Sequence, residues 1–159
     1  MVDFSCTVGR LRQSSSGGYQ PYASHNQAPT AVTSVSLNLQ ASAPWVIAAA
    51  RKLERLGTLP QDWDSYGGLP LKAGAREITV RVLGWLQRED LPIPAVVLGS
   101  AGTVQLEWRC GGKELEVDLG DGREIDFVTI DSQGQIEEGQ ARTDDEEKIR
   151  TLTHWLRIR

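Results

Sequence analysis

Apolar residues along this chain follow two rhythms, one after the other. Val46, Ala49, Ala50, Leu53 and Leu56 recur at helical spacing, with Ser42 placed to cap a helix and Pro44 suited to its first turn. Arg51, Lys52 and Arg55 lie mostly off that stripe, and Gly57 and Pro60 end it. After a Gly/Pro-punctuated connection over 59–70, Ile78, Val82, Trp85 and Leu86 mark a second helix from about Lys72 to Arg88. The rhythm then shortens to two. Leu91-Pro92-Ile93-Pro94 is extended, and Ala95–Leu98 reads as a short apolar strand. Val104, Leu106 and Trp108 alternate with Gln105, Glu107 and Arg109, the period of a half-buried strand. Gly111-Gly112 makes a hairpin turn, and Leu115, Val117 and Leu119 alternate with Glu114, Glu116 and Asp118. Gly120-Asp121-Gly122 turns the chain again. Ile125, Phe127, Val128 and Ile130 form the next strand, with a phase change at Phe127-Val128 that calls for a bulge or for burial on both faces. Asp131–Gly134 is a further turn, and Ile136 belongs to a last short strand. Thr143-Asp144-Asp145-Glu146 has the form of a capping box, and Ile149, Leu152, Trp155 and Leu156 stripe a closing helix.

This order predicts an α+β domain over 42–159. Two N-terminal helices precede an antiparallel meander of four or five strands, and a C-terminal helix packs on one face of the sheet. Residues 1–41 have the composition of a flexible low-complexity arm, rich in Ser, Gly, Gln and Asn, with alternation at 31–40 that suits a pairing strand.

Charge sharpens the picture. Residues 107–147 hold fourteen acidic and four basic side chains, whereas the other 118 residues hold seven and thirteen. The acids fall mostly on strand-like sequence and the bases on helix-like sequence, so one surface of a small domain repels what another attracts. The net acidity disfavours direct nucleic-acid binding. No apolar run approaches the ~20 residues that span a bilayer, and the N-terminus lacks the pattern of a secretion signal. With only Cys6 and Cys110, far apart, a reduced cytoplasmic setting is expected.

Signals for catalysis are few. His25 and His154 are the only histidines, which leaves a His-centred triad little to draw on. Metal-ligand spacings, phosphate loops and dinucleotide fingerprints are missing from the sequence, so no cofactor or metal is expected. The Trp63-Asp64-Ser65-Tyr66-Gly67-Gly68 loop admits two readings. Trp63 can plug a gap against the core while Asp64 bonds its own turn, or Trp63, Asp64 and Tyr66 can form a recognition surface. Asp62 and Asp64 can also be read as a carboxylate pair. The acidic strand residues Glu107, Glu114, Glu116 and Asp118 are either a solvated face that discourages edge aggregation or a docking face for a basic partner.

Asp62-Trp63-Asp64-Ser65-Tyr66-Gly67-Gly68-Leu69-Pro70, a helix, and then Leu106-Glu107-Trp108 in an alternating strand resemble a loosely defined group of small bacterial α+β proteins with no assigned activity. The resemblance implies a bacterial module and carries over no catalytic residue. The leading expectation is a non-catalytic protein-binding module, an accessory or neutralising subunit of a bacterial complex, antitoxin-like or defence-associated. Its partner is another protein, basic if the acidic face is used, and a homo-oligomer is compatible with it. A small hydrolase using the Trp63-loop carboxylates and an acidic nucleic-acid mimic are the alternatives.

Overall fold

The structure, a computed structural model, describes residues 42–158. The low-complexity arm over 1–41 and its pairing strand at 31–40 lie outside the described residues. Three helices and five strands follow in the order α1 (Pro44–Leu56), α2 (Ala73–Leu86), β1 (Ala95–Leu98), β2 (Val104–Cys110), β3 (Lys113–Leu119), β4 (Glu124–Ile130), β5 (Ile136–Arg142) and α3 (Glu146–Arg157). The strands form one antiparallel meander in the order β1-β2-β3-β4-β5, as short hairpin turns between successive strands require.

One face of the sheet is apolar because the strand period is two. Val96, Leu98, Val104, Leu106, Trp108, Leu115, Val117, Leu119, Ile125 and Phe127 are buried there. The helices lay their own stripes on it: Trp45, Val46, Ala49 and Leu53 from α1, Val82, Leu83 and Leu86 from α2, Ile149, Leu152 and Leu156 from α3. Trp45 meets Trp108 edge-on, with ring centroids 6.4 Å apart. Lys113 leaves the sheet to bond the Trp155 and Ile158 carbonyls at 3.1 and 2.8 Å, at the negative end of α3. Arg150 links Glu146, Glu89 and the Trp85 carbonyl, tying α3 to the end of α2.

Several local expectations need correction. Asp145, not Thr143, caps α3, its carboxylate accepting from the Lys148 amide at 2.9 Å. Thr143 belongs instead to the sheet ladder, its amide donating to the Arg123 carbonyl at 2.9 Å. Ala43 rather than Ser42 precedes α1, with Pro44 at its first position. The second helix is shorter than expected, because Lys72 and Gln87 flank Ala73–Leu86. Pairing across Phe127-Val128 is unbroken, so no bulge exists. Phe127 and Thr129 point to the core, while Val128 and Ile130 lie half-buried on the opposite face.

Candidate functional site

The Trp63 loop follows from its polar residues. Asp62 and Ser65 adopt φ of 64° and 63°, conformations that side chains other than glycine seldom take. Hydrogen bonds within the loop hold them. The Asp62 amide donates to the Gly68 carbonyl at 2.8 Å, and the Asp62 carboxylate accepts from the Gly67 amide at 2.7 Å. Asp64 Oδ1 accepts from the amides of Tyr66 and Gly68 at 2.9 and 2.8 Å. Those donors, Tyr66 first and Gly68 second, hold the Asp64 carboxyl below the ordinary carboxylate range. A general acid needs the opposite shift, so the hydrolase chemistry expected of this loop loses its support at Asp64.

Trp63 packs against the core and donates its indole N–H to the Leu69 carbonyl at 3.2 Å. Of the three loop residues singled out for recognition, only Tyr66 projects, with 93% of its surface exposed. The loop is anchored to the β1–β2 turn through the Leu69 amide on Ser100 and the Lys72 amide on Gly102. It is therefore a rigid mount for one tyrosine.

The acidic residues behave differently, because strand register assembles them. Glu107 stands opposite Glu116, and Asp118 opposite Asp126. One row across the sheet reads Val97, Gln105, Asp118, Asp126, Gln140, and the next reads Ala95, Glu107, Glu116, Val128, Glu138. Glu114 and Glu124 complete the set, so the face turned away from the helices carries seven carboxylates on β2 to β5. Its two cations do little to neutralise them. Arg109 pairs with Glu114 at 3.1 Å, and Arg142 turns to Asp144 at 2.8 Å. The other six carboxylates of this face have no ion pair among the described residues. Polar neighbours supply some contacts: Gln105 donates to Glu116 at 3.0 Å and Gln140 to Asp126 at 2.8 Å.

Protein-family models, curated proteins and solved structures give no match to this chain.

The sequence pattern identified Glu107, Glu114, Glu116 and Asp118, and the structure brings all four onto this face. Glu124, Asp126 and Glu138 were missed. The first two continue the alternation through Ile125 and Phe127 and were open to the same reasoning. Glu138 was not, because Ile136–Arg142 carries no apolar alternation to set its phase. Elsewhere, His154 is exposed on α3 and Cys110 is a half-buried free thiol beside the β2–β3 hairpin. Among the described residues, no group of three or more His, Cys, Asp or Glu could hold a metal ion, and no helix is long and apolar enough to cross a membrane.

Proposed function

We propose that this protein is a non-catalytic binding module whose acidic sheet face docks a basic protein, as an accessory or neutralising subunit of a bacterial complex. The observation that carries the reading is a field of seven carboxylates, six of them without an ion pair among the described residues, spread over the face of the sheet opposite the helices. Like charges directly across a sheet cost about 0.2–1 kcal/mol per pair, and a cationic partner removes that cost on binding. Edge protection does not account for the arrangement. Glu107, Glu114, Glu116 and Asp118 sit on β2 and β3, each at a position paired with a strand on both sides, whereas the edge strand β1 has no acid.

The face is roughly 20 Å by 20 Å in projection, about half of one side of a standard interface and far more than the Tyr66 tip alone offers. Its acids extend over four adjacent strands as a two-dimensional field. That favours a protein surface over imitation of a single phosphate ridge. Apolar Val128, Ile130 and Ile136 border the carboxylates and add contact area.

Affinity co-purification of the full chain from its native host, at low and high salt, tests the reading. A basic protein is expected at low salt. It should be released at high salt and lost when Glu107→Gln, Glu116→Gln and Asp118→Asn are combined. Recovery of no partner at either salt, or a partner indifferent to the triple variant, defeats the reading.

A further inference from the structure

We infer that the outer edge of β5 is a strand-addition site, and that its occupant is an extended segment of the partner carrying two adjacent cationic residues followed by an apolar one. This deepens the reading of the acidic face and rests on it.

The two edges of the sheet differ. β1 is four residues long and follows Pro92 and Pro94. Shortness and proline are devices that blunt an edge. β5 runs for seven residues, Ile136-Glu137-Glu138-Gly139-Gln140-Ala141-Arg142, without proline, lysine or a bulge, and pairs with β4 alone among the described strands.

The ladder fixes which backbone groups face outward. Asp131 donates to the Gln135 carbonyl at one end and Thr143 to the Arg123 carbonyl at the other. Antiparallel hydrogen-bonded pairs recur every second residue, so 137, 139 and 141 also turn their amides and carbonyls toward β4. Ile136, Glu138, Gln140 and Arg142 present theirs to the edge that carries no strand among the described residues. A partner strand can bond these without disturbing the sheet, which is how strand addition secures an extended peptide.

Side chains set the specificity. An antiparallel newcomer continues the meander, so its residue beside Glu138 prolongs the row Glu107, Glu116, Val128, Glu138. A cation there meets carboxylates and no competing cation in the row. The next residue falls beside Glu137, exposed on the opposite face, and favours a second cation. The one after falls beside Ile136, 65% exposed and paired with Ile130, and favours an apolar side chain. The same acids that deter a neutral strand from this edge select a basic one.

The probe is a labelled peptide Thr-Thr-Gln-Thr-Lys-Arg-Val, titrated into the full chain at low ionic strength and followed by fluorescence anisotropy. Gln140→Pro removes one outward amide while leaving every carboxylate in place, and proline is tolerated where the amide of an edge strand faces solvent. The expected result is at least tenfold weaker binding by this variant, with its circular dichroism retained. A peptide of identical charge, N-methylated at alternate amides, should bind the native chain at least tenfold more weakly. This second arm stands on its own should Gln140→Pro fail to fold. Equal binding in either arm, or no binding of the parent peptide, overturns the edge assignment. So does a concentration-dependent dimer abolished by Gln140→Pro without peptide binding, because the edge would then serve a second copy.

The two proposals separate in the co-purification. A basic partner kept by Gln140→Pro but lost by the neutralised face leaves the docking face standing and removes the strand site. A partner lost by Gln140→Pro but kept by the neutralised face removes the docking face, and with it the charge rule for the strand's occupant.

Discussion

Replacing Gly102 by alanine should cost far more than the same change at Gly111, although both glycines have positive φ, +76° and +59°. The conformational cost is shared: an L-residue in the left-handed region loses roughly 1–2 kcal/mol, offset by about 0.4–1 kcal/mol from stiffening the unfolded chain. What differs is the space. A β-carbon at Gly111 meets nothing within 4 Å, whereas one at Gly102 lies 2.5 Å from the Pro70 carbonyl oxygen and 3.1 Å from Lys72 Cγ. The Pro70 oxygen belongs to backbone that is itself pinned, because Leu69 donates to Ser100 at 2.8 Å and Lys72 to Gly102 at 3.0 Å. Relieving the clash means breaking one of these bonds or shifting the Trp63 loop, an overpacking cost of about 1–3 kcal/mol.

Gly102→Ala is therefore expected to lose about 3 kcal/mol and Gly111→Ala about 1 kcal/mol or less. At roughly 4 °C per kcal/mol for a domain of this size, the melting midpoints should fall by about 12 °C and 4 °C. Urea unfolding of both variants measures the difference. Amide hydrogen exchange localises it, since Leu69 and Lys72 should lose protection in Gly102→Ala only. Equal losses in the two variants, or unchanged exchange at Leu69 and Lys72, would refute the claim that close backbone approach holds the loop.

Other expectations follow from the loop and the face. Asp64→Asn should destabilise the protein at neutral pH, because the folded carboxyl titrates below the unfolded value of 3.8. A depressed folded pKa gives stability that is full above the unfolded pKa and disappears as pH falls through the folded one, so native and variant unfolding curves should converge in strong acid. Trp63→Ala should lose about 2–4 kcal/mol for its core contacts, while Tyr66→Ala should stay within about 0.5 kcal/mol by thermal unfolding. Equal effects would mean the loop is not mounted on Trp63. Glu107→Gln removes a charge directly opposite Glu116 and should stabilise the fold by about 0.2–1 kcal/mol at low salt. The gain should shrink in high-salt melts, and a salt-independent change would rule out repulsion as its origin.

The fold was legible where burial leaves a period. The alternation in β2, β3 and the first half of β4 placed their core residues correctly, because one face of each strand is covered and the other is wet. β5 carried no such signal. Its core-side positions are Glu137, Gly139 and Ala141, and Gly139 is small because the Phe127 ring lies against it: a β-carbon there would sit 2.5 Å from Phe127 Cζ. Aromatic bulk on one strand replaced apolar residues on its neighbour, and pattern reasoning sees only one strand at a time. The α3 cap was misplaced for a related reason. Thr143 and Asp145 both look like caps locally, and the bond from the Lys148 amide to the Asp145 carboxylate decides between them. In the Trp63 loop, local chemistry sufficed for Asp64 bonding its own turn, whereas the isolation of Tyr66 from Trp63 needed coordinates.

Charge segregation in the sequence becomes a spatial fact only through register, and the fate of the cations shows how far it extends. Residues 107–147 contain four bases. Lys113 is drawn to the end of α3, Arg142 turns to Asp144, and Arg109 serves Glu114 at the margin. Arg123 sits in the turn before β4. Glu107 is consequently left facing Glu116, and Asp118 facing Asp126, with Glu138 beyond Val128 in the first of these rows. A sheet surface that needed only solubility would be served by mixed charges, which avoid the repulsion between Glu107 and Glu116 and between Asp118 and Asp126. The cost is met on strands that have no edge to protect. No cation of the described residues pairs with these acids, so on the reading proposed above a basic partner supplies the missing positive charge.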